Sequence, residues 1–362
     1  MGTIGNSSLM YQFTYTTHAS RVVFGAGSMK LVQQEVEKLG ARRALVLCTP
    51  EQRAQAEVVS SLLGSSSAGV FDEAQMHVPI ENVRRAREYA NAVDADCAVA
   101  IGGGSTIGLG KAIALQSALP IIAIPTTYAG SEMTPIYGIT EGGLKQTGRD
   151  LKVLPKTVLY DPELSVGLPD HLSFVSGLNA IAHAAEGLYA KDGNPVMSLM
   201  AEEGIRALAN GLRGLKKSSR DNTARSECLY GAWLCGMVLG NVGMALHHKL
   251  CHTLGGTFNL PHAETHAIVL PHALAYNSVV AADAMTRIAR ALNVNSAADG
   301  LYELSQELGV PRGLREIGLN EADLDYACEM AMSNPYWNPR PVEAAPLREL
   351  LQRAWQGSRP CP

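Results

Sequence analysis

Along the first half of the chain, apolar residues come in short unbroken blocks. Residues 21–24, 44–48, 97–101, 120–124 and 157–160 show no polar alternation, the pattern of strands buried on both faces. The segments between them, at 28–40, 51–63, 80–94 and 105–116, are helical in composition. Strand and helix in alternation predict β-α-β units and a parallel sheet. After Pro162 and Pro169 the pattern shifts to Ala, Leu, Met and Glu at helical spacing, broken by Gly-Asn-Pro, Gly-Gly and Pro-His turns. No strand pattern remains there. The division predicted is an α/β domain over residues 1–168 and an all-α domain over 169–362, with a site in the cleft between them.

A chain of 362 residues exceeds one ordinary core, in keeping with two domains. Hydrophobic residues make up 46% and charged residues 18%, which fits a soluble globular enzyme rather than a disordered chain. A net charge of -4 gives no reason to expect nucleic acid or an anionic membrane surface as a partner. The seven cysteines are odd in number, scattered, and contain no CxxC pair. Reduced thiols and a cytoplasmic location are expected from that usage. No apolar run approaches the roughly 20 residues of a spanning helix. The N-terminus lacks the basic and apolar regions of a signal peptide. Met10 is read as an alternative start, with residues 1–9 foreign to the native chain.

Ile101-Gly102-Gly103-Gly104-Ser105 ends a buried block and opens a helix. Glycines let the backbone approach a diphosphate, and a helix N-terminus supplies free N–H groups and a positive dipole end. A plain strand-to-helix turn is the competing reading. The residue three beyond Gly104 is Ile107, so this is not the standard dinucleotide fingerprint G-x-G-x-x-G. After the next strand come Thr126, Thr127, Tyr128 and Ser131, hydroxyl groups at the carboxyl end where open α/β sheets bind ligands. Gly103, Gly104, Ser105, Thr126, Thr127, Tyr128, Ser131 and Tyr137 are the residues expected to face a cofactor. Selectivity for NAD often rests on an acid after the second strand. Here Thr49 stands there and Glu51 comes late, so use of both NADH and NADPH is expected.

Six of the ten histidines fall between 247 and 272: His247, His248, His252, His262, His266 and His272. His248 and His252 share a helical face at i, i+4, and Asn179 and His183 form a second such pair. A single histidine on a helix is usually a core or surface residue. Four with partners (183, 248, 252 and 262) instead suggest proton transfer or metal binding. His266 and His272 are expected to be structural. Asn179 offers only a neutral carbonyl where a metal site would want a carboxylate, so any divalent ion should be held weakly.

Taken together, Phe24-Gly25-Ala26-Gly27, Gly102-Gly103-Gly104-Ser105-Thr106 and the run from Tyr128 to Pro135 resemble the iron-containing alcohol dehydrogenase superfamily. Ser176 to His183, His247 to His252 and Asn334-Pro335-Tyr336-Trp337-Asn338-Pro339 point within it to the maleylacetate reductases. The resemblance implies a Rossmann-like, dehydroquinate synthase-like α/β domain followed by a helical one, and a homodimer. Metal-dependent relatives hold their ion with an aspartate and three histidines, positions that fall here on Asn179, His183, His248 and His262. Asparagine at the first is the departure that maleylacetate reductases share, so the site reads as vestigial and a metal as not required. The relatives' histidine beside the nicotinamide falls on His252, and their cofactor-binding lysine on Lys145.

The implied reaction is reduction of the carbon–carbon double bond of maleylacetate to 3-oxoadipate by NADH or NADPH, in aromatic-compound degradation; chlorinated analogues are further candidate substrates. Alcohol oxidation needs a Lewis acid for the alkoxide. An alkene already polarised by a neighbouring ketone needs only donors for an enolate and a proton for carbon. His252 or His248 is expected to donate the proton. His183, His262, His247, Lys249 and Asn179 are expected to anchor the two carboxylates. The alternatives are a metal-dependent alcohol or hydroxyacid dehydrogenase, a lyase like dehydroquinate synthase, and a non-catalytic binding protein.

Overall fold

Each of the five apolar blocks is a strand in the computed structural model, which describes residues 13–18 and 20–362. Met10 and residues 1–9 lie outside the described residues. The first half runs β1 (Arg21–Phe24), α1 (Val32–Lys38), β2 (Ala44–Leu47), α2 (Arg53–Leu63), β3 (Ser67–Phe71) and α3 (Ile80–Ala92). It continues with β4 (Cys97–Gly102), α4 (Gly104–Ser117), β5 (Ile121–Pro125), β6 (Ile136–Glu141), β7 (Leu144–Arg149) and β8 (Thr157–Tyr160). Nine helices follow among the described residues. They are α5 (Asp170–Gly187), α6 (Pro195–Lys217), α7 (Asn222–Asn241), α8 (Leu246–Phe258), α9 (His262–Ser278), α10 (Ala282–Leu292), α11 (Ala297–Leu308), α12 (Leu324–Ser333) and α13 (Ala344–Gln356). Among the described residues no strand follows β8, and no single helix is long and apolar enough to cross a membrane.

Three strands carry no unbroken apolar block. β3 contains Ser67 and Gly69, sits at the sheet edge and is mostly half-buried, so its packing never required one. β6 and β7 pair only with each other and leave most of their residues half-buried or exposed. Their reversal is at Gly142-Gly143, with φ of 58° and 78°, a left-handed turn that glycine adopts without strain.

The main sheet has the order β1-β8-β5-β4-β2-β3, and every pairing is parallel. The chain leaves β2 for β3 on one side and returns past it to β4 on the other. The carboxyl ends of β2 and β4 therefore form the switch point where such sheets bind ligands. Alternate residues serve opposite faces. Val46, Val99, Ile101 and Ile122 pack with Val32 and Val36 of α1 and Ala56, Val59 and Leu63 of α2. Leu45, Leu47 and Ala98 pack with α3 and with Leu109 and Ile113 of α4. Ile121, Ala123, Val158 and Tyr160 instead join the cluster built by α5, α6 and α7, so one core welds the sheet to the helices.

Two close approaches fix that weld. The loop after β5 lies so tightly on α7 that a Cβ on Gly236 would sit 2.9 Å from the Gly130 carbonyl oxygen. Beside it, the fully buried guanidinium of Arg225 on α7 donates to Tyr128 Oη (3.2 Å), Ser173 Oγ (2.7 Å), the Leu168 carbonyl (3.1 Å) and the Ser219 carbonyl (2.8 Å). No carboxylate takes part; neutral acceptors satisfy the cation and tie the β5 loop, the linker and α5 together. Cys48, Cys97, Cys228, Cys235, Cys251 and Cys328 are buried free thiols, and Cys361 is free and exposed.

Truncating Arg225 would strand those acceptors in the core. Arg225→Met should lower unfolding free energy in urea by about 3 kcal/mol. A loss below about 0.5 kcal/mol, the level of an ordinary surface change, would show that Arg225 does not fasten the two halves.

Candidate active site

At the switch point β4 ends in Gly102 and α4 starts at Gly104, with Gly103 as an N-cap that offers no side-chain hydrogen bond. The N–H groups of the first turn, beside half-buried Ser105, are left for another acceptor. A Cβ on Gly103 would sit 3.0 Å from Thr127 Cγ2, so a side chain there would crowd the β5 loop. Thr126 Oγ1 accepts from Gln52 Nε2 at 2.9 Å, while Thr49 Oγ1 lies 3.5 Å from Gln52 Oε1. These bonds stitch the ends of β2 and β5 across β4. Gln52 escaped the sequence reading, because a glutamine in a first helical turn carries no signal of its own. An uncapped helix start flanked by glycine backbone and hydroxyl groups fits a diphosphate.

The β5 loop is held from beneath. Lys111 on α4 is buried, and its ammonium donates to the carbonyls of Ser131 (2.6 Å), Thr134 (2.8 Å) and Ile136 (2.8 Å) and to Thr134 Oγ1 (2.9 Å). Burial lowers its pKa to about 7, opposed by Glu132 nearby. Tyr128, expected at the cofactor, instead turns its ring into the core, where Arg225 holds its hydroxyl. Tyr137 lies on β6 with its ring against Gly148. Lys145 on β7 stands over Gly138 and lies close enough to His252 and His262 to depress the basicity of both, so the hairpin reaches the histidines. Partial loss of hydration lowers the pKa of Lys145 itself, although the residue is exposed.

The histidines converge from three helices. α5 presents Asn179 and His183, α8 presents His247, His248, Lys249 and His252, and α9 opens with His262 and His266. Ring centroids stand 5.1 Å apart for His183 and His248, 5.0 Å for His248 and His266, 4.3 Å for His262 and His266 and 6.3 Å for His252 and His262. His266, expected to be structural, belongs to the cluster: its Nδ1 lies 3.0 Å from His247 Nε2. One turn of α9 is enough to bring it back beside His262. His272 is buried away from that group, and burial lowers its pKa to about 4.

The residue that organises the cluster is Glu186, one turn after His183. Its buried carboxylate accepts from the backbone N–H of Ala245 (2.8 Å) and His247 (2.7 Å), and pairs with His248 Nδ1 at 2.7 Å. It thus caps α8 from a neighbouring helix and fixes the His248 tautomer. With Nδ1–H given to Glu186, His248 Nε2 is buried and has no partner. Asn179 Oδ1, His183 Nδ1 and His266 Nε2 are likewise buried and unpaired. Four such atoms in one cluster mark a place completed by a polar ligand. At the mouth, His252 Nδ1 meets Tyr336 Oη at 3.0 Å, and the Lys249 ammonium stands 5.7 Å from the same ring. The loop carrying Tyr336 is pinned by the reciprocal amide pair Asn277 and Asn338 (3.0 and 2.8 Å).

Electrostatics follow burial. His183, His247 and His266 are pushed well below the usual imidazole pKa, first by burial and then by neighbouring imidazoles. His252 and His262, part-exposed at the edge of the cluster, are lowered as well, first by the protein packed around their rings and then by His248 for His252 and by Lys145 for His262. The set Asn179, His183, His248 and His262 does not fit a tightly held iron or zinc ion. It brings three neutral imidazoles and one amide, with no anionic donor. Among the described residues, His183, His248 and His262 do not form a trio with ligand atoms within 4.8 Å of one another; the one trio that does is His247, Cys251 and His266.

Comparison with known proteins agrees with this geometry. Residues 19–162 match the family model described as iron-containing alcohol dehydrogenase, and 173–355 match that of the Fe-containing alcohol dehydrogenase family, C-terminal. A maleylacetate reductase from Burkholderia cepacia is 61% identical over 351 residues, covering 97% of this chain and 100% of that protein. The crystal structure of a maleylacetate reductase from Agrobacterium tumefaciens superposes with a TM-score of 0.95 at 52% identity, and covers 97% of this chain and 100% of its own. That from Rhizobium sp. strain MTP-10005 gives 0.94 at 54% identity, with coverage of 97% and 100%.

Neutral buried histidines carry a pH signature. The unfolded chain protonates His183, His247, His266 and His272 near the ordinary value of 6.5, while the folded protein resists doing so. Below that pH the unfolded state binds more protons, so stability is present above about 6.5 and is lost as pH falls. Each group contributes up to about 1.4 kcal/mol per pH unit. Urea midpoints should therefore drop between about pH 7 and pH 5.5; equal midpoints would contradict the burial of neutral imidazoles.

Proposed function

The chain belongs to the iron-containing alcohol dehydrogenase family, and we infer that it reduces the carbon–carbon double bond of maleylacetate to 3-oxoadipate with NADH or NADPH. The observation that carries this reading is 61% identity to a maleylacetate reductase across 97% of the chain. Supporting it, Asn179 brings a neutral amide, and no carboxylate, beside buried imidazole nitrogens without partners, a set poor in the anionic donors a metal ion needs.

The division into residues 1–168 and 169–362, a homodimer, a cytoplasmic location and turnover without metal belong to the same proposal. The first turn of α4 would hold the cofactor diphosphate, with Thr49, Thr126, Thr127, Ser131, Tyr137 and Lys145 around it. Reduced nicotinamide, when bound, supplies a hydride to the carbon beta to the substrate ketone. The electron pair of the double bond then moves to the ketone oxygen as an enolate. His183, His262, Lys249 and the Asn179 amide would hold the carboxylates and the enolate oxygen, since an amide can donate where aspartate would repel. His247 would brace the neighbouring rings through His266.

His248 is the favoured proton donor. Glu186 bonds its Nδ1 at 2.7 Å and holds the ring in place, so that its Nε2 would deliver the proton to the carbon alpha to the ketone. His252, oriented by the Tyr336 hydroxyl, would flank the nicotinamide.

Turnover of maleylacetate, followed by loss of NADH absorbance, should survive exhaustive EDTA treatment. Activity lost with the chelator and restored by iron or zinc would overturn the metal-free reading. His248→Ala should lower kcat by about 100-fold or more, and Glu186→Gln by about 10-fold or more. Full turnover in His248→Ala would remove it as the donor.

A further inference from the structure

Beside the catalytic histidines lies a second set of donors that touches neither substrate nor cofactor in the proposed chemistry. His247 and Cys251 stand at i, i+4 on α8, and His266 faces them from α9. All three are buried, with exposures of 0%, 1% and 0%. Their ligand atoms lie within 4.8 Å of one another. His247 Nε2 is 3.0 Å from His266 Nδ1 and 3.7 Å from Cys251 Sγ.

Two of those spacings lie within about 0.3 Å of what a tetrahedral ion needs, and the third, between His266 and Cys251, is no more than 4.8 Å. With metal–nitrogen bonds of about 2.05 Å and metal–sulfur bonds of about 2.3 Å, tetrahedral angles put two nitrogens about 3.3 Å apart and nitrogen and sulfur about 3.6 Å apart. Two of the donors share one helix and the third sits on a helix packed against it, so small side-chain adjustments close the remaining difference. Charge balances as well. Burial and the Glu186 carboxylate keep the Cys251 thiol protonated in the free protein, so a divalent cation would have to displace that proton, and the resulting thiolate with Glu186, bonded to the His247 backbone N–H, would balance its charge.

We propose that His247, Cys251 and His266 form a binding site for a thiophilic divalent cation, zinc above all, separate from the Asn179 set. Binding releases one proton to solvent, from the Cys251 thiol. The proton shared between His247 and His266 is re-sited on a ring nitrogen that does not face the ion. His266 Nε2, buried and without a partner, is free to carry it. An ion there adjoins His248 through the chain and replaces the His247–His266 contact, so zinc would act as an inhibitor. The family's expected ion position lacks an anionic donor in this chain; the thiolate trio supplies one.

Cobalt(II) is the probe. EDTA-treated full-length protein titrated with cobalt should bind one equivalent per chain, with a thiolate-to-cobalt charge-transfer band that zinc abolishes by displacement. Cys251→Ser should remove the band and weaken zinc binding by about 100-fold or more. His183→Asn, which alters the Asn179 set, and Cys361→Ser, which removes the exposed thiol, should both keep it. Absence of the band in the unmodified protein, its persistence in Cys251→Ser, or its loss in His183→Asn or Cys361→Ser would overturn the proposal. Should Cys251→Ser fail to fold, X-ray absorption of the zinc-loaded wild type decides. One sulfur and two imidazole ligands support the site, and an all-nitrogen and oxygen shell refutes it. None of these readouts depends on turnover, so the site can fail while the reductase reading stands.

Discussion

The carboxylate of Glu186 is the constraint on which the histidine cluster depends. Buried without a lysine or arginine partner, it is stabilised by the N–H groups at the start of α8 and by His248. Such charge-assisted bonds at a helix N-terminus can hold an anion in a low-dielectric interior. The consequence is directional. α8 turns 93° from α7, and the bond to Glu186 sets where its first turn begins. Every donor on α8, from His247 to His252, takes its bearing from that one anchor on α5.

Two buried cations do the equivalent for the other wall. Arg225 ties α7 to the β5 loop, and Lys111 ties that loop to α4. Neither has a carboxylate directly bonded; both are satisfied by carbonyl and hydroxyl oxygens. The contact of Gly130 with Gly236 then lets the loop approach α7, and a Cβ on Gly130 would sit 3.7 Å from His183 Nδ1. Cofactor end and histidine end are thereby held at a spacing that side-chain packing alone would not define.

Much of the fold was legible in the residues, for a reason visible strand by strand. β2, β4, β5 and β8 are buried on both faces and had to be apolar throughout. β3 and the hairpin were not, because an edge strand and a solvent-facing pair place no such demand on composition. Among site residues, His183, His248, His252 and His262 announced themselves by type and spacing. Glu186 did not, although it lies three residues after His183: a helical glutamate is ordinarily a surface residue, and nothing local distinguishes a buried one. Tyr128 misled in the opposite sense, since its place in a hydroxyl-rich loop says nothing of Arg225, which arrives from 97 residues away.

What the residues determined by themselves is the class of the molecule and its supply of chemistry: a parallel sheet, a helical half, an uncapped glycine turn, a dense set of imidazoles and an asparagine where a ligand acid would stand. Periodicity and side-chain type are local properties, and local order suffices to read them. The tertiary structure decided which nitrogen of His248 bonds Glu186 and which is left unpaired, that His266 joins His247 and Cys251, and that Tyr128 belongs to the core. Each depends on atoms brought together from distant parts of the chain, and on the rule that a buried polar group takes whichever partner the packing leaves within reach.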